Sequence, residues 1–232
     1  MSVFALPEEP LVFPDPELAD PDGLVAVGGD LSPQRLLAAY HQGIFPWYSE
    51  TTPILWWSPD PRLVLFPEEL HVARSLRRII NSDRFEVSFD KNFQAVISAC
   101  SATLRPGQNG TWLVPEMIRA YVRLHELGLA HSVEAWSGGK LAGGLYGVAL
   151  GRMFFGESMF FREGNASKVA FVHMVRYLKE QGFVLIDCQQ TTPHMMRFGA
   201  REISRSRFLA ILRKYATRPW PVGHWLQKTE CR

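Results

Sequence analysis

Asp187 and Gln189 end an apolar run in the stretch Phe-Val-Leu-Ile-Asp-Cys-Gln-Gln, residues 183 to 190. On a buried strand, side chains two apart share a face, so Asp187 and Gln189 point together while Cys188 points away. A carboxylate and a carboxamide delivered to a cleft offer a charge and hydrogen bonds to a reacting centre. Taken alone, the pair fits many enzymes, or a strand that merely ends in polar groups. Cys188 has the neighbours of a nucleophile, but alternation assigns it to packing. A further carboxylate, Glu157, follows Gly156 at a strand position in a glycine-rich region. The histidines, His194 among them, form no His-x-His or His-x-x-x-His set, so no metal site is expected.

Two other groupings have chemical potential. Arg74, Arg77 and Arg78 fall at i, i+3 and i+4 of a helix, with Arg84 just beyond. They form either a solvated basic face or a phosphate-binding one. Trp47, Trp56 and Trp57 stand close to prolines in Gly-Ile-Phe-Pro-Trp-Tyr (43–48) and Leu-Trp-Trp-Ser-Pro-Asp-Pro-Arg (55–62). They either wedge a small domain against a larger one or wall a planar or apolar ligand.

The elements that position these residues follow from periodicity. Leu24 to Val27 reads as an edge strand in a Pro, Gly and Asp rich opening. Ser32 caps a helix that Pro33 begins and Gly43 ends. A strand over 62–66 precedes a helix from about Glu68 to Ile80, then come a strand over 85–89 and a helix over 92–100. The polar, glycine-containing segment 101–110 reads as a mobile loop. A helix starts at Pro115 and stops before Gly128. From His131 the period becomes two, giving an antiparallel meander of three strands up to Phe160. Gly143, Gly144, Gly147 and Gly156 within it signal bulges or close approach of a ligand. A helix over 165–181, the strand carrying Asp187, a short helix, a strand at Ile203 and a basic helix over 204–215 complete the chain.

At 232 residues the chain suits one large domain, or a main domain carrying a smaller one. A net charge of +2 does not announce a nucleic-acid binder, so local distribution must decide. Cys100, Cys188 and Cys231 have no Cys-x-x-Cys spacing, which disfavours a zinc knuckle or disulfide framework and favours a reducing cytoplasm. No run approaches a membrane span and no leader pattern opens the sequence, so a soluble, unexported protein without membrane partners is expected.

The order of meander, helix, polar-ended strand and short helix resembles the N-acetyltransferase fold. More specific are Gly-Gly-Asp-Leu-Ser-Pro (28–33), Gly-Ile-Phe-Pro-Trp (43–47), Trp-Trp-Ser-Pro-Asp-Pro-Arg (56–62), Gly-Glu-Ser-Met-Phe (156–160) and Leu-Ile-Asp-Cys-Gln (185–189). Together, over about residues 11 to 212, these resemble the bacterial leucyl/phenylalanyl-tRNA-protein transferases. The resemblance implies an α+β protein. Its GNAT-like catalytic domain, residues 63–232, would have a mixed, largely antiparallel sheet flanked by helices, after a small N-terminal domain over 1–62.

It further implies a cytoplasmic, monomeric aminoacyltransferase without cofactor or metal. The enzyme would move Leu or Phe, with Met a further candidate, from aminoacyl-tRNA to proteins starting with Arg or Lys, marking them for degradation. In that frame Asp187 and Gln189 lie at the reacting centre. Asp187 orients Gln189 and draws the amine proton directly or through water, while Gln189, a poor base, positions by hydrogen bonding. Glu157 pairs with the acceptor's Arg or Lys, unless it is a structural carboxylate bonded to backbone. The aminoacyl pocket takes in Trp47, Trp112, Leu145, Tyr146, Phe154 and Ser158. Arg74, Arg77, Arg78 and Arg84 contact tRNA phosphates.

Three alternatives stand beside this one. An acetyl-CoA-dependent N-acetyltransferase needs a Gln/Arg-x-x-Gly-x-Gly/Ala loop, and Arg162-Glu-Gly-Asn-Ala166 is one residue short of it. A non-catalytic tRNA-binding adaptor would have no need of Asp187, Gln189 and Glu157. A peptidoglycan-bridge ligase usually has two such folds in a longer chain.

Overall fold

The computed structural model describes residues 4–103, 113–217, 223 and 225. Two sheets organise it. Strands β1 (Phe4–Leu6), β2 (Leu24–Gly28), β3 (Phe45–Pro46) and β4 (Leu55–Trp57) form a small sheet in the order β1-β2-β4-β3. Leu24 to Val27, expected at an edge, is therefore internal, because β1 pairs with it in parallel on the side away from β4. Helix α1 (Pro33–Tyr40) lies between β2 and β3, and the Ser32 hydroxyl caps it by accepting from the Arg35 N–H at 3.3 Å.

The larger sheet contains β5 (Arg62–Leu65), β6 (Glu86–Phe89), β7 (Ala130–Ser137), β8 (Lys140–Leu150), β9 (Met153–Phe161), β10 (Leu185–Gln189) and β11 (Arg201–Ile203). Their spatial order is β11-β5-β10-β9-β8-β7-β6, and only the β9–β10 pair among them is parallel. This is the expected mixed, largely antiparallel sheet, with the meander β7-β8-β9 at its centre. Helix α2 (Arg74–Ile80) lies between β5 and β6. Helices α3 (Phe93–Ser101) and α4 (Pro115–Glu126) precede the meander, α5 (Ala166–Glu180) crosses from β9 to β10, and α6 (Pro193–Met196) and α7 (Arg205–Tyr215) follow.

The sheet is buried on both faces. Every residue of β8 except Lys140 is buried, and its side chains alternate between two cores. Leu145 and Ala149 pack with α5 residues such as Val169 and Met174, whereas Tyr146 and Val148 pack with Val96 of α3 and Tyr121 of α4. The second core continues through Tyr40 and Trp56, so the two sheets share it. Close packing explains one meander glycine directly. A Cβ on Gly147 would stand 2.2 Å from the Phe155 carbonyl and 2.5 Å from the Phe154 ring.

The helix expected from Glu68 begins only at Arg74. Pro67–Glu69 is a single 3₁₀ turn, and Leu70 and Ala73 are extended, because the His71 N–H is drawn to the Phe198 carbonyl at 2.9 Å instead of an intrahelical partner. Of the expected loop 101–110, Ser101 ends α3, and residues 104–110 lie outside the described residues.

Candidate active site

The paired register of β10 with β9 ends at Asp187 opposite Phe155. Beyond that point the strands part around a cavity of about 800 Å³, lined by Gly156, Glu157 and Ser158 from one strand and Cys188 and Gln189 from the other. A β-bulge between Asp187 and Gln189 breaks the β10–β5 ladder, and Gln189 has φ of +62°. A non-glycine residue held there costs about 1–3 kcal/mol, a strain typical of functional positions. Strict alternation therefore fails at this strand end, and Cys188 borders the cavity as well. Burial, with Asp187 adjacent, pushes its thiol well up, so it stays protonated and is no nucleophile.

Asp187 is fully buried, and its carboxylate is already engaged. Arg62 holds it in a fork, Nε to Oδ1 at 2.8 Å and Nη2 to Oδ2 at 2.6 Å. Oδ1 also accepts the Gln189 backbone N–H at 2.8 Å. Arg62 is itself buried between the rings of Phe45 and Phe208, 4.8 and 4.5 Å from its guanidinium carbon. A guanidinium thus pairs with Asp187, and the carboxylate also holds Gln189, as expected of a residue that orients it. It does so through the backbone, fixing the left-handed turn that swings the Gln189 side chain toward Glu157.

Glu157 has three donors. Tyr40 Oη donates to Oε1 at 2.7 Å, Tyr121 Oη to Oε2 at 3.0 Å, and Gln189 Nε2 to Oε1 at 2.9 Å. The partners are side chains, not backbone, which sets aside the backbone-bonded structural alternative. Burial raises its pKa to about 7, with Asp187 adding to the effect and the three donors opposing it.

The structure gathers most of the expected pocket around the same cavity: Trp47, Leu145, Tyr146, Phe154 and Ser158 all line it. Trp112 lies outside the described residues. Trp47 and Trp56 divide the two readings of the tryptophan cluster. Trp56 is a fully buried wedge whose Nε1 donates to the Gly28 carbonyl at 2.9 Å, whereas Trp47 is half-buried at the cavity. Phe171, Met174 and Ile186 complete the apolar end. His194 also borders the cavity, and burial with nearby Lys168 and Arg197 holds it neutral.

Arg74, Arg77, Arg78 and Arg84 are exposed. Arg84 pairs with Glu163 at 3.2 Å, next in sequence to cavity-lining Gly164, so the basic patch extends toward the cavity. Arg74, Arg77 and Arg78 make no ion pair among the described residues.

With this geometry in place, comparison with known proteins is decisive. The family model described as "Leucyl/phenylalanyl-tRNA protein transferase" matches residues 64–213, and that of its N-terminal domain matches 29–60. The chain belongs to this family. Proteins called leucyl/phenylalanyl-tRNA–protein transferase from Anaeromyxobacter sp. (strain Fw109-5) and Oleidesulfovibrio alaskensis are 62% and 59% identical to it. The first covers 97% of this chain and 95% of its own length, the second 97% and 92%. Among solved structures, a GCN5-related N-acetyltransferase from Kribbella flavida superposes with a TM-score of 0.40 at 11% identity, over 74% of this chain and 61% of that one. L-PGS from Bacillus licheniformis gives a TM-score of 0.40 at 11% identity, over 70% and 52%. Both likenesses are too distant to carry an argument. The family membership turns the reading away from an acetyl-CoA enzyme.

Sequence reasoning missed Arg62, Tyr40 and Tyr121. Tyr40 and Tyr121 occupy apolar-face positions of α1 and α4, where a tyrosine is indistinguishable by spacing from a core residue. Arg62 closes the Trp-Trp-Ser-Pro-Asp-Pro-Arg motif, but its partner is 125 residues away. A buried arginine requires a partner, and that was the available signal. Among the described residues no helix is long and apolar enough to cross a membrane.

Proposed function

We propose that this chain transfers Leu or Phe from aminoacyl-tRNA to the α-amino group of proteins that begin with Arg or Lys, marking them for degradation in the cytoplasm. The observation that carries this reading is one cavity with an apolar end and a carboxyl-bearing, hydrogen-bonded floor. Leu145, Phe154, Phe171 and Met174 receive the transferred side chain at the first. Glu157 meets the acceptor's cationic side chain at the second, with Gln189 beside it.

The ester is already activated, so the amine nitrogen attacks its carbonyl carbon, the bond to the ribose oxygen breaks, and the amine's proton ends on that oxygen. A reference α-amino pKa of about 7.7–8.0 leaves a usable neutral fraction near pH 7. Positioning then supplies much of the rate. Gln189 spends its amide N–H on Glu157, which leaves its amide oxygen to accept from the incoming amine. Asp187 and Arg62 act behind it as positioning residues. Neither metal nor cofactor has a step in this scheme. Trp47 and Trp112 belong to the aminoacyl pocket, and Arg74, Arg77, Arg78 and Arg84 contact phosphates without reading sequence. The protein works as a monomer.

Incubation with labelled leucyl-tRNA and an Arg-starting peptide, beside its Nα-acetylated counterpart, tests the proposal. Label should enter only the free-amine peptide. No label on either peptide would overturn it.

A further inference from the structure

Three oxygens meet in the floor of the cavity. Tyr40 Oη is 2.7 Å from Glu157 Oε1, Tyr121 Oη is 3.0 Å from Glu157 Oε2, and the two hydroxyls are 2.5 Å apart. Each separation is a hydrogen-bond distance, and each needs a proton between its oxygens, since facing lone pairs repel at such range. The two phenols bring only two protons. With Glu157 ionised, one of the three contacts would hold none. A third proton, on Glu157, completes the ring.

Gln189 fixes where that proton sits. Its Nε2 donates to Glu157 Oε1 at 2.9 Å, so Oε1 accepts from both Gln189 and Tyr40. The acid proton therefore belongs on Oε2. With Glu157 protonated, the Tyr121–Oε2 bond reverses from the sense it has against a carboxylate, and the ring runs from Oε2–H to Tyr121, from Tyr121 to Tyr40, and from Tyr40 back to Oε1. All three side chains are buried, which favours this neutral arrangement over an ionised one.

We infer that Glu157, Tyr40 and Tyr121 hold three protons among them when no acceptor is bound, and that a cationic acceptor side chain docking beside Glu157 displaces the third. This rests on the reading of Glu157 as the acceptor's partner. One proton leaves Glu157 Oε2 for solvent as one positive charge arrives, so the charge of the site is conserved. In the bound state both phenols donate to the carboxylate and the hydroxyl–hydroxyl contact lengthens. Tyr40 and Tyr121 are thus positioning residues that tie acceptor binding to proton release.

The surroundings agree. Tyr40 faces Glu157 from α1, Tyr121 from α4, and Asp187 and Gln189 from β10. Tyr146 of β8 stands edge-on to Tyr121 at 5.6 Å, and Tyr48 lies beyond it, bonded to Glu116 at 3.4 Å. Arg62 neutralises Asp187 at 2.6 Å. Burial comes first among the causes that raise both phenol pKa values, so Tyr40 and Tyr121 keep their protons throughout.

The test is an infrared pH titration of the full chain, with argininamide as the acceptor probe and no tRNA. At pH 6 the wild type should show the C=O stretch of a protonated carboxylic acid that is missing in Glu157→Gln, and saturating argininamide should abolish it. For a group titrating near pH 7, the ionised fraction rises from about one-tenth at pH 6 to about nine-tenths at pH 8. The argininamide dissociation constant should accordingly fall about ninefold more in the wild type than in Glu157→Gln. Tyr40→Phe and Tyr121→Phe should each shift the carboxylic-acid band, which a merely structural role would leave in place. A missing band at pH 6 overturns the proton ring. A band that argininamide leaves unchanged overturns the coupling. Leucyl transfer to an Arg-starting peptide, measured in parallel, reports separately on the function: no transfer with the band present would sink that reading and leave the ring standing.

Discussion

Asp187→Ala will unfold the protein more readily before it informs on chemistry. The substitution leaves Arg62 as a cation with 1% exposure, clamped between Phe45 and Phe208, and Arg62 Nη1 already lacks a hydrogen-bond partner among the described residues. Removing one partner of a buried ion pair costs about 3–5 kcal/mol, a large share of the roughly 5–15 kcal/mol that holds a domain together. For a chain of this size that corresponds to a fall in Tm of roughly 6–20 °C. Replacing both partners, Arg62→Met with Asp187→Leu, removes the stranded charge and should restore stability to within about 1 kcal/mol of wild type. Leucyl transfer should stay low in the double variant, because the Gln189 N–H has lost Oδ1 and the left-handed turn is no longer held. Urea denaturation of wild type, Arg62→Met, Asp187→Leu and the double variant gives the coupling energy directly. If Asp187→Ala loses less than about 1 kcal/mol while transfer collapses, Asp187 acts in the chemistry and its assignment as a positioning residue is wrong.

Other outcomes follow from the same geometry. Burial raises the Glu157 pKa to about 7 in the folded chain from an ordinary value of 4.5, so the folded state binds the extra proton between those values. Its contribution to stability is present in full below about pH 4.5 and is lost as pH rises through about 7, by up to about 3 kcal/mol. Glu157→Gln should thus gain on the wild type across that window in denaturant titrations at successive pH, and parallel pH profiles would contradict the raised pKa. Gly147→Ala drives a methyl group into the Phe155 carbonyl and the Phe154 ring, and should cost about 1–3 kcal/mol by thermal melting. Arg77→Glu with Arg78→Glu should weaken tRNA binding and flatten its salt dependence without changing Tm, because both side chains are exposed. Unchanged affinity at moderate salt would move the tRNA contact elsewhere.

Local rules read well wherever local physics decides. Ser32 and Pro33 started their helix, the period of two marked β7 to β9, and glycines fell where backbones approach. The Glu68 helix failed because a tertiary bond from His71 to Phe198 outcompeted helical propensity. The internal place of β2 was hidden because β1 is short and pairs in parallel. At the site, Asp187, Gln189 and Glu157 were legible as polar groups at strand ends. Their division of labour was not, since it depends on Arg62, Tyr40 and Tyr121, which approach from distant stretches of chain. A bulge at Gln189 also suspended the alternation rule at the position where it mattered.

The most direct measurement is a competition between two labelled peptides, one starting with Arg and one with Glu, for leucine from leucyl-tRNA. A close charge pair at an interface couples by about 1.5 kcal/mol or more, roughly tenfold. Wild type should therefore label the Arg peptide at least tenfold faster, and Glu157→Gln should lose most of that preference. Equal labelling of the two peptides by the wild type would contradict the account.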